Sequence, residues 1–331
     1  NHSLTKQFYA NYKLQLKRHS IGLMAGYEDY SYKWEEEGAS RTNFNLVNYP
    51  YLNLGPEDYQ YNSGKAGHNA YRSFFGRIMY SWADRYILQA NIRSDGSSRF
   101  ADGHRWGTFP SVSAGWVISE EPWFNKNVID YLKLRGSIGQ LGNERLGKEF
   151  PYQAILSFGT GFIPNATTGM ADVVQTAYQT DYAFNNLTWE TTTEFNIGLD
   201  LGFFNNRINL TAEYFQRTIS DLLVKNKTIP HYNEVKTIAA NIGSTQSNGV
   251  ELTLNTQNIQ TKQFTWSTDL TFSTYNDRWK ERDPNWKPAA YQKEQDPIRG
   301  VFAYVADGLL QPGEEAPTSS RTSETQEYKW R

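Results

Sequence analysis

The side chains able to ligate a metal or attack a bond are present but dispersed. Among the five histidines, His2, His19, His68, His104 and His231, none forms an i, i+4 pair. His231-Tyr232-Asn233-Glu234 could supply two metal ligands, and a loop that merely carries polar residues explains the same run more simply. Carboxylates are plentiful, yet Glu194, Asp200, Glu213, Glu251 and Asp269 recur on the polar side of alternating segments, where a hydrated surface accounts for them better than paired acid/base work. Cysteine is absent, which removes disulfides, zinc–thiolate sites and thiol catalysis together. No nucleophile elbow, phosphate loop or dinucleotide fingerprint occurs. The expectation is a chain with no catalytic residues, no metal and no cofactor. What remains is aromatic surface. Trp34, Tyr49, Tyr51, Tyr59 and Tyr61 fall in one long polar segment, and Trp279, Trp286 and Tyr291 in another. Such rings can stack on sugar rings or on peptide side chains. They can equally pack loops together or against a partner, and both readings stand.

The elements that would position these rings follow from composition and period. Net charge is -2 and the pI about 6.3, so no basic excess points to nucleic acid. The chain is 15% aromatic, with 10 Trp, 22 Tyr and 18 Phe, yet its mean hydropathy is -0.68. No apolar run of about 18 residues offers a membrane helix. Asn1-His2-Ser3-Leu4 shows no signal peptide, so an exported protein would be represented here by a mature piece.

Period-2 alternation dominates instead. Ile208, Leu210, Ala212 and Tyr214 share one face, and Asn209, Thr211, Glu213 and Phe215 the other. Phe195, Ile197, Leu199 and Leu201 likewise oppose Glu194, Asn196, Gly198 and Asp200. This predicts about ten strands. They fall near 4–17, 20–33, 71–82, 85–94, 106–118, 131–140, 188–203, 207–221, 247–258 and 264–277, with an eleventh near Gly300 to Leu309. Most reach the roughly 9–11 residues that a tilted strand needs to cross a bilayer. Their links alternate in length. Arg18-His19, Ala83-Asp84, Asn205-Asn206 and Asn258 to Gln263 are short; 34–70, 95–105, 141–187, 222–246 and the segment after Asp277 are long. The link from Ser119 to Asp130 is intermediate, with a short helical turn expected at Glu120 to Phe124. Short turns on one side and long loops on the other mark an outer-membrane barrel. Tyr80, Trp82, Tyr86, Trp106, Trp116, Phe203, Phe204, Phe264 and Trp266 near strand ends fit its two aromatic girdles. The fold class expected is all-β, a transmembrane antiparallel β-barrel.

A set of ordered landmarks carries a family resemblance. Arg93-Ser94-Asp95-Gly96-Ser97-Ser98-Arg99-Phe100 is followed by Trp106-Gly107-Thr108-Phe109-Pro110-Ser111, Gly115-Trp116 and Ser119-Glu120-Glu121-Pro122. Tyr131-Leu132-Lys133-Leu134-Arg135 and Gly139-Gln140-Leu141-Gly142-Asn143 come next. Later come Trp189-Glu190, Asn196-Ile197-Gly198-Leu199-Asp200, Asn241-Ile242-Gly243, Gly249-Val250-Glu251-Leu252 and Tyr304-Val305-Ala306-Asp307-Gly308. In this order they resemble SusC/RagA-like TonB-dependent outer-membrane transporters. Within them, Asp95-Gly96 reads as a turn pair and Arg99 as a residue that could tie the neighbouring loop to a carboxylate.

The resemblance implies a barrel of about 22 strands, of which roughly eleven are in this chain, with residues 1–331 all part of the barrel wall. The plug domain and the TonB-contacting segment it implies are not in these residues, and the closing strands are expected to be missing too. An open half-wall would leave two unpaired edges in lipid, so the chain is expected to be a fragment. The resemblance further implies active import of an oligosaccharide or oligopeptide across the bacterial outer membrane, energised through TonB. Its partners would be TonB, reached through the missing N-terminal part, outer-membrane lipid and a SusD-like surface lipoprotein contacted by 34–70 and 278–299. A dimer of transporter–lipoprotein pairs is left open. The alternatives are a passive porin or adhesin, or a stand-alone receptor of the siderophore or cobalamin kind.

Overall fold

The structure, a computed structural model, describes residues 1–45, 48–49, 51–147, 149–164, 169, 171–181, 183–228 and 237–303. Fourteen strands are present among them: β1 (His2–Leu16), β2 (His19–Arg41), β3 (Gln60–Trp82), β4 (Tyr86–Ser97), β5 (Trp106–Val117), β6 (Ile129–Asn143), β7 (Ile155–Pro164), β8 (Ala171–Asp181), β9 (Glu190–Phe203), β10 (Ile208–Ser220), β11 (Leu223–Thr228), β12 (Thr237–Asn241), β13 (Ser244–Gln260) and β14 (Thr265–Glu281). Ten of these form one antiparallel sheet in the order β1-β2-β3-β4-β5-β6-β9-β10-β13-β14. Each neighbour is the next long strand along the chain, an up-and-down meander. The hairpins β7–β8 and β11–β12 are separate two-stranded sheets inserted in the long connections. No helix among the described residues is long and apolar enough to cross a membrane.

The ten strands expected from alternation are these ten. Their short turns are tight because Asp and Asn tolerate left-handed backbone. Ala83 and Asp84 have φ of 53° and 54°, and Phe204, Asn205 and Asn206 lie at 56° to 58°. Two consecutive residues at positive φ match the right-handed twist of flanking strands, so the hairpin closes without splaying.

Several expectations are corrected. The connection predicted at 34–70 shrinks to 42–59, because β2 and β3, 23 residues each, pair from His19↔Trp82 to Arg41↔Gln60. Gly38, Gly64 and Gly67 and a Glu35-Glu36-Glu37 run had disguised these strands, and continuous pairing overrode weak propensity. The 141–187 and 222–246 loops hold the two extra hairpins. Asp95-Gly96 is no turn: both residues lie within β4, with Gly96 paired to Trp106, whose indole covers it. The reversal comes at 98–105, where Gly103 takes φ of 88°. The helical turn expected at Glu120 to Phe124 is a 3-10 turn at Ile118–Glu120. Gly300 to Ala303 is not strand, and the rest of the expected eleventh strand, with its Tyr304 to Gly308 landmark, lies outside the described residues.

The sheet has one apolar and one polar face along its whole width. The strand register stacks Leu132, Leu201, Leu210, Leu254 and Leu270 in a single row, and Leu134, Leu199, Ala212, Leu252 and Phe272 in the next. Leu134, Leu252, Leu270 and Phe272 are exposed, Leu270 at 58%, and the other six are half-buried. An exposed apolar face this wide would be insoluble in water, and is what hydrocarbon requires. Two aromatic rows bracket it. At the short-turn end Trp82, Tyr86 and Trp116 lie against one another with centroids 5.5 and 6.2 Å apart. At the other end Tyr27, Phe74 and Trp106 do so at 5.3 and 6.0 Å.

Candidate functional site

The polar face is a lattice of paired charges. Arg135 on β6 donates to Glu213 on β10 at 2.7 Å and meets Asp200 on β9 at 3.3 Å. It can reach across β9 only because the intervening residue is Gly198, where a Cβ would sit 2.7 Å from the guanidinium carbon. Thr211 donates to Asp200 at 3.1 Å, and Arg217 to Glu194 at 2.9 Å. Three of the carboxylates singled out in the sequence, Glu194, Asp200 and Glu213, thus belong to ion pairs spread over the wall. Glu213 and Glu251 face each other across β10 and β13, but Glu213 is committed to Arg135, so this surface suits water and polar solute rather than bond cleavage.

A small core sits at the long-loop end. Phe100, Phe109, Leu146, Leu187, Trp189 and Ala239 are buried together, with Phe184 and Leu223 packed against them. Trp189 contacts both phenyl rings, at 5.3 and 5.5 Å, and its indole N–H donates to the Arg105 carbonyl at 3.0 Å. Polar clamps surround this core. Arg99 donates to Glu144 at 2.9 Å and meets Glu149 at 3.5 Å, the loop-tying role expected of it. Asn241 donates to the carbonyls of Thr188 and Asp221, and accepts from the Thr188 N–H, each at 2.9 Å. Glu190 accepts from the Asn143 amide at 2.9 Å and from the Leu223 N–H at 3.0 Å. The landmarks Arg99, Phe100, Phe109, Asn143, Trp189, Glu190 and Asn241, scattered in sequence, therefore build one platform from which the loops rise. Sequence reasoning saw their order but not their convergence. The signal it lacked was which strand ends are neighbours.

The aromatic candidates divide into two groups. Trp34 lies in β2 rather than in a loop, half-buried, with its indole over Gly67, and Tyr61 lies in β3 at 60% exposure. Tyr49 and Tyr51 stand out from the 42–59 connection, and Tyr59 closes a 3-10 turn there. Arg41 braces this connection by donating to the Gly55 carbonyl and to Gln60. In the other group Trp279 lies in β14 rather than in a loop, and the Arg282 guanidinium lies 5.0 Å from its ring and 4.1 Å from the Trp286 ring, and donates to the Glu294 carbonyl. Tyr291 packs on Phe302 at 5.1 Å. Lys227 holds Asp283 at 3.2 Å, joining this segment to β11. The N–H of Asn285 first, and then Lys227, hold the Asp283 carboxyl below the usual aspartate range. The two groups are separated by seven strand spacings, about 34 Å along the sheet. Among the described residues no three His, Asp or Glu side chains converge as metal ligands, and His231 to Glu234 lie outside those residues.

Residues 1–310 match the family described as TonB dependent receptor-like, beta-barrel. A TonB-dependent receptor of Formosa agariphila is 33% identical over 265 residues, covering 78% of this chain and 24% of that protein. The TonB-dependent receptor SusC of Bacteroides thetaiotaomicron is 39% identical over 222 residues, covering 66% of this chain and 21% of that one. Among solved structures, the RagAB peptide transporter superposes with a TM-score of 0.74 at 24% identity, over 86% of this chain and 31% of that one. The outer membrane transporter YddB of Escherichia coli gives 0.56 at 12%, over 84% and 33%. The chain spans about a quarter of the length of the curated relatives it matches. With its meander, its two-faced strands and its paired aromatic rows, this chain belongs to the TonB-dependent receptor family as a SusC/RagA-like segment of an outer-membrane β-barrel.

Proposed function

We propose that the full protein imports an oligosaccharide or oligopeptide across the outer membrane, energised through TonB and assisted by a SusD-like surface lipoprotein. The observation that carries this reading is the match of residues 1–310 to the receptor barrel, combined with a polar face of paired charges suited to a hydrated lumen. In this role the chain is a wall and a mouth and carries no reaction. The short turns at Ala83-Asp84 and Asn205-Asn206 face the periplasm, and the long connections face outward. β1 and β14 are margins across which the rest of the wall would pair, since open strand edges are not tolerated in hydrocarbon.

The exposed rings of the 42–59 connection, Tyr49 and Tyr51, are offered to substrate or lipoprotein, at 58% and 63% exposure. Trp34, Tyr59 and Tyr61 flank that surface. Trp279 and Trp286 already grip Arg282 and act by holding 282–303 in shape, with Tyr291 beside them. The test begins with the full-length gene. Cells with the gene deleted are grown on glycans or peptides as sole nutrient, and the barrel is pulled down from the outer membranes of cells that keep the gene. Loss of growth on one polymer class and recovery of a surface lipoprotein are expected. A barrel never accompanied by a lipoprotein would favour a stand-alone receptor, and uptake independent of TonB would favour a porin.

A further inference from the structure

The apolar face holds a depression on β1 to β4. It is a groove of about 510 Å³, floored by Ala10, Ala25 and Gly76 where neighbouring rows carry large side chains. Tyr12, Leu23 and Ile78 wall it on the short-turn side. On the far side stands the aromatic row of Phe8, Tyr27 and Phe74, aligned across three strands. Beyond that row the character changes. Lys6, Asp29 and Arg72 are register partners on the same face, and Lys33 lies four residues past Asp29. Arg72 is 58% exposed although it pairs with Asp29 at 3.3 Å, so it keeps donors free. Three cations therefore share this face with two acids, Asp29 and, two residues past Lys33, Glu35, which leaves a net positive charge. The span from the Ala25 floor to the Asp29 row is four residues, about 13 Å along the strand.

We infer that this groove binds a phosphorylated glycolipid of the outer leaflet, lipid A in chemical class. One acyl chain would lie against Ala10, Ala25 and Gly76, and the phosphate on Lys6, Arg72 and Lys33. Charge complementarity selects this occupant: an uncharged protein surface would leave the cations unused, whereas a phosphate at headgroup depth is matched by them. The groove also continues the lipid-facing surface, so its occupant must be apolar at that depth. The inference rests on the orientation proposed above, which places this end of the sheet in the outer leaflet.

The test uses full-length transporter purified in detergent and analysed by native mass spectrometry after mixing with lipid A or with dephosphorylated lipid A. Wild-type protein is expected to retain about one lipid A per chain and much less of the dephosphorylated form. Replacing Lys6, Lys33 and Arg72 together by Ser should erase that difference, at roughly fivefold loss of retention per cation removed. Gly76→Leu should lower retention of both lipids. A Cβ there meets nothing nearer than 3.6 Å, so the strand accepts the change while the longer side chain fills the groove. Retention unchanged in both variants overturns the inference, as does a change only in the number of protein copies, which would assign the groove to chain–chain contact. Orientation is read separately, by impermeant labelling of the turn at Asn206. Correct orientation with no lipid preference sinks this inference alone, whereas reversed orientation sinks the reading beneath it.

Discussion

Leu210 and Thr211 are neighbours in sequence and point to opposite solvents, so they separate the two faces at the scale of one residue. Leu210 lies in a row of five leucines, and Thr211 faces Asp200 with Glu213 two residues on. Leu210→Arg should lower assembly into the outer membrane, since a cation near the bilayer midplane costs roughly 2–4 kcal/mol. Thr211→Arg gains carboxylates within reach and should assemble near the wild-type level. Heat-modifiable mobility on gels measures both, and equal yields would reverse the assignment of faces. Trp189 supports a different prediction. It is 8% exposed and joins Phe100 to Phe109, so Trp189→Ala should cost the platform about 3–5 kcal/mol. The strands beneath are held by their own ladders. The expected result is a barrel that still assembles but whose loops are cut early by protease. Asp283 gives a pH dependence. Its folded pKa lies below the ordinary value, so the anchoring it provides is complete above that value and is lost as pH falls through the lowered one. Trp286 fluorescence should hold steady down to about pH 5 and change only in stronger acid, and Asp283→Asn should flatten that response.

At the scale of elements, strands of very different length share one sheet. β4 and β5 have 12 residues, while β2 and β3 have 23 and run past the outer aromatic row as a two-stranded extension. Between His19 and Tyr27 there are nine residues, the number that a tilted strand needs for the hydrocarbon. The remainder of β2 stands clear of it. Cysteine at Asn206, in a tight turn, should resist an impermeant maleimide on intact cells, and cysteine at Gly161, in β7, should react. Labelling at Asn206 without labelling at Gly161 would invert the topology. The β7–β8 hairpin exposes Phe158 and Phe162 at 71% and 70%, so removing 155–181 should leave barrel yield unchanged. A fall in yield would show that the hairpin supports the wall.

For the whole molecule the distribution of burial is the main physical fact. Seven apolar residues among those described are buried, in a chain with 50 aromatic side chains. A soluble domain of this size would bury far more of its apolar residues. Here the backbone ladders hold the wall together, and the apolar surface is satisfied by lipid instead of by a core. Glu213, which faces Glu251 across β10 and β13, is committed to Arg135, so the intact transporter incubated with glycan or peptide libraries should leave them uncleaved. Mass spectrometry of the mixtures checks this, and cleavage abolished by a single substitution would revive an enzymatic role.

Sequence by itself determined the ten strands of the main sheet, the two faces and the tight turns at Asp84 and Asn205, because alternation and left-handed Asn or Asp are properties of neighbouring residues. Ile208 to Phe215 shows its facing without any partner strand. The same locality hid the outer halves of β2 and β3, where glycines and a run of glutamates carry no alternation and only pairing from Arg41 to Gln60 makes a strand. It also misplaced the turn at Asp95-Gly96, since a turn-forming pair yields to a ladder when Trp106 lies opposite. The site followed the same division. Aromatic loops could be named from composition, but whether a ring is free like Tyr51 or committed like Trp286 depends on Arg282, which packing alone supplies. The convergence of Phe100, Leu146, Trp189 and Ala239 was decided only by tertiary structure, because sheet order brings distant strand ends together and sequence distance does not record it.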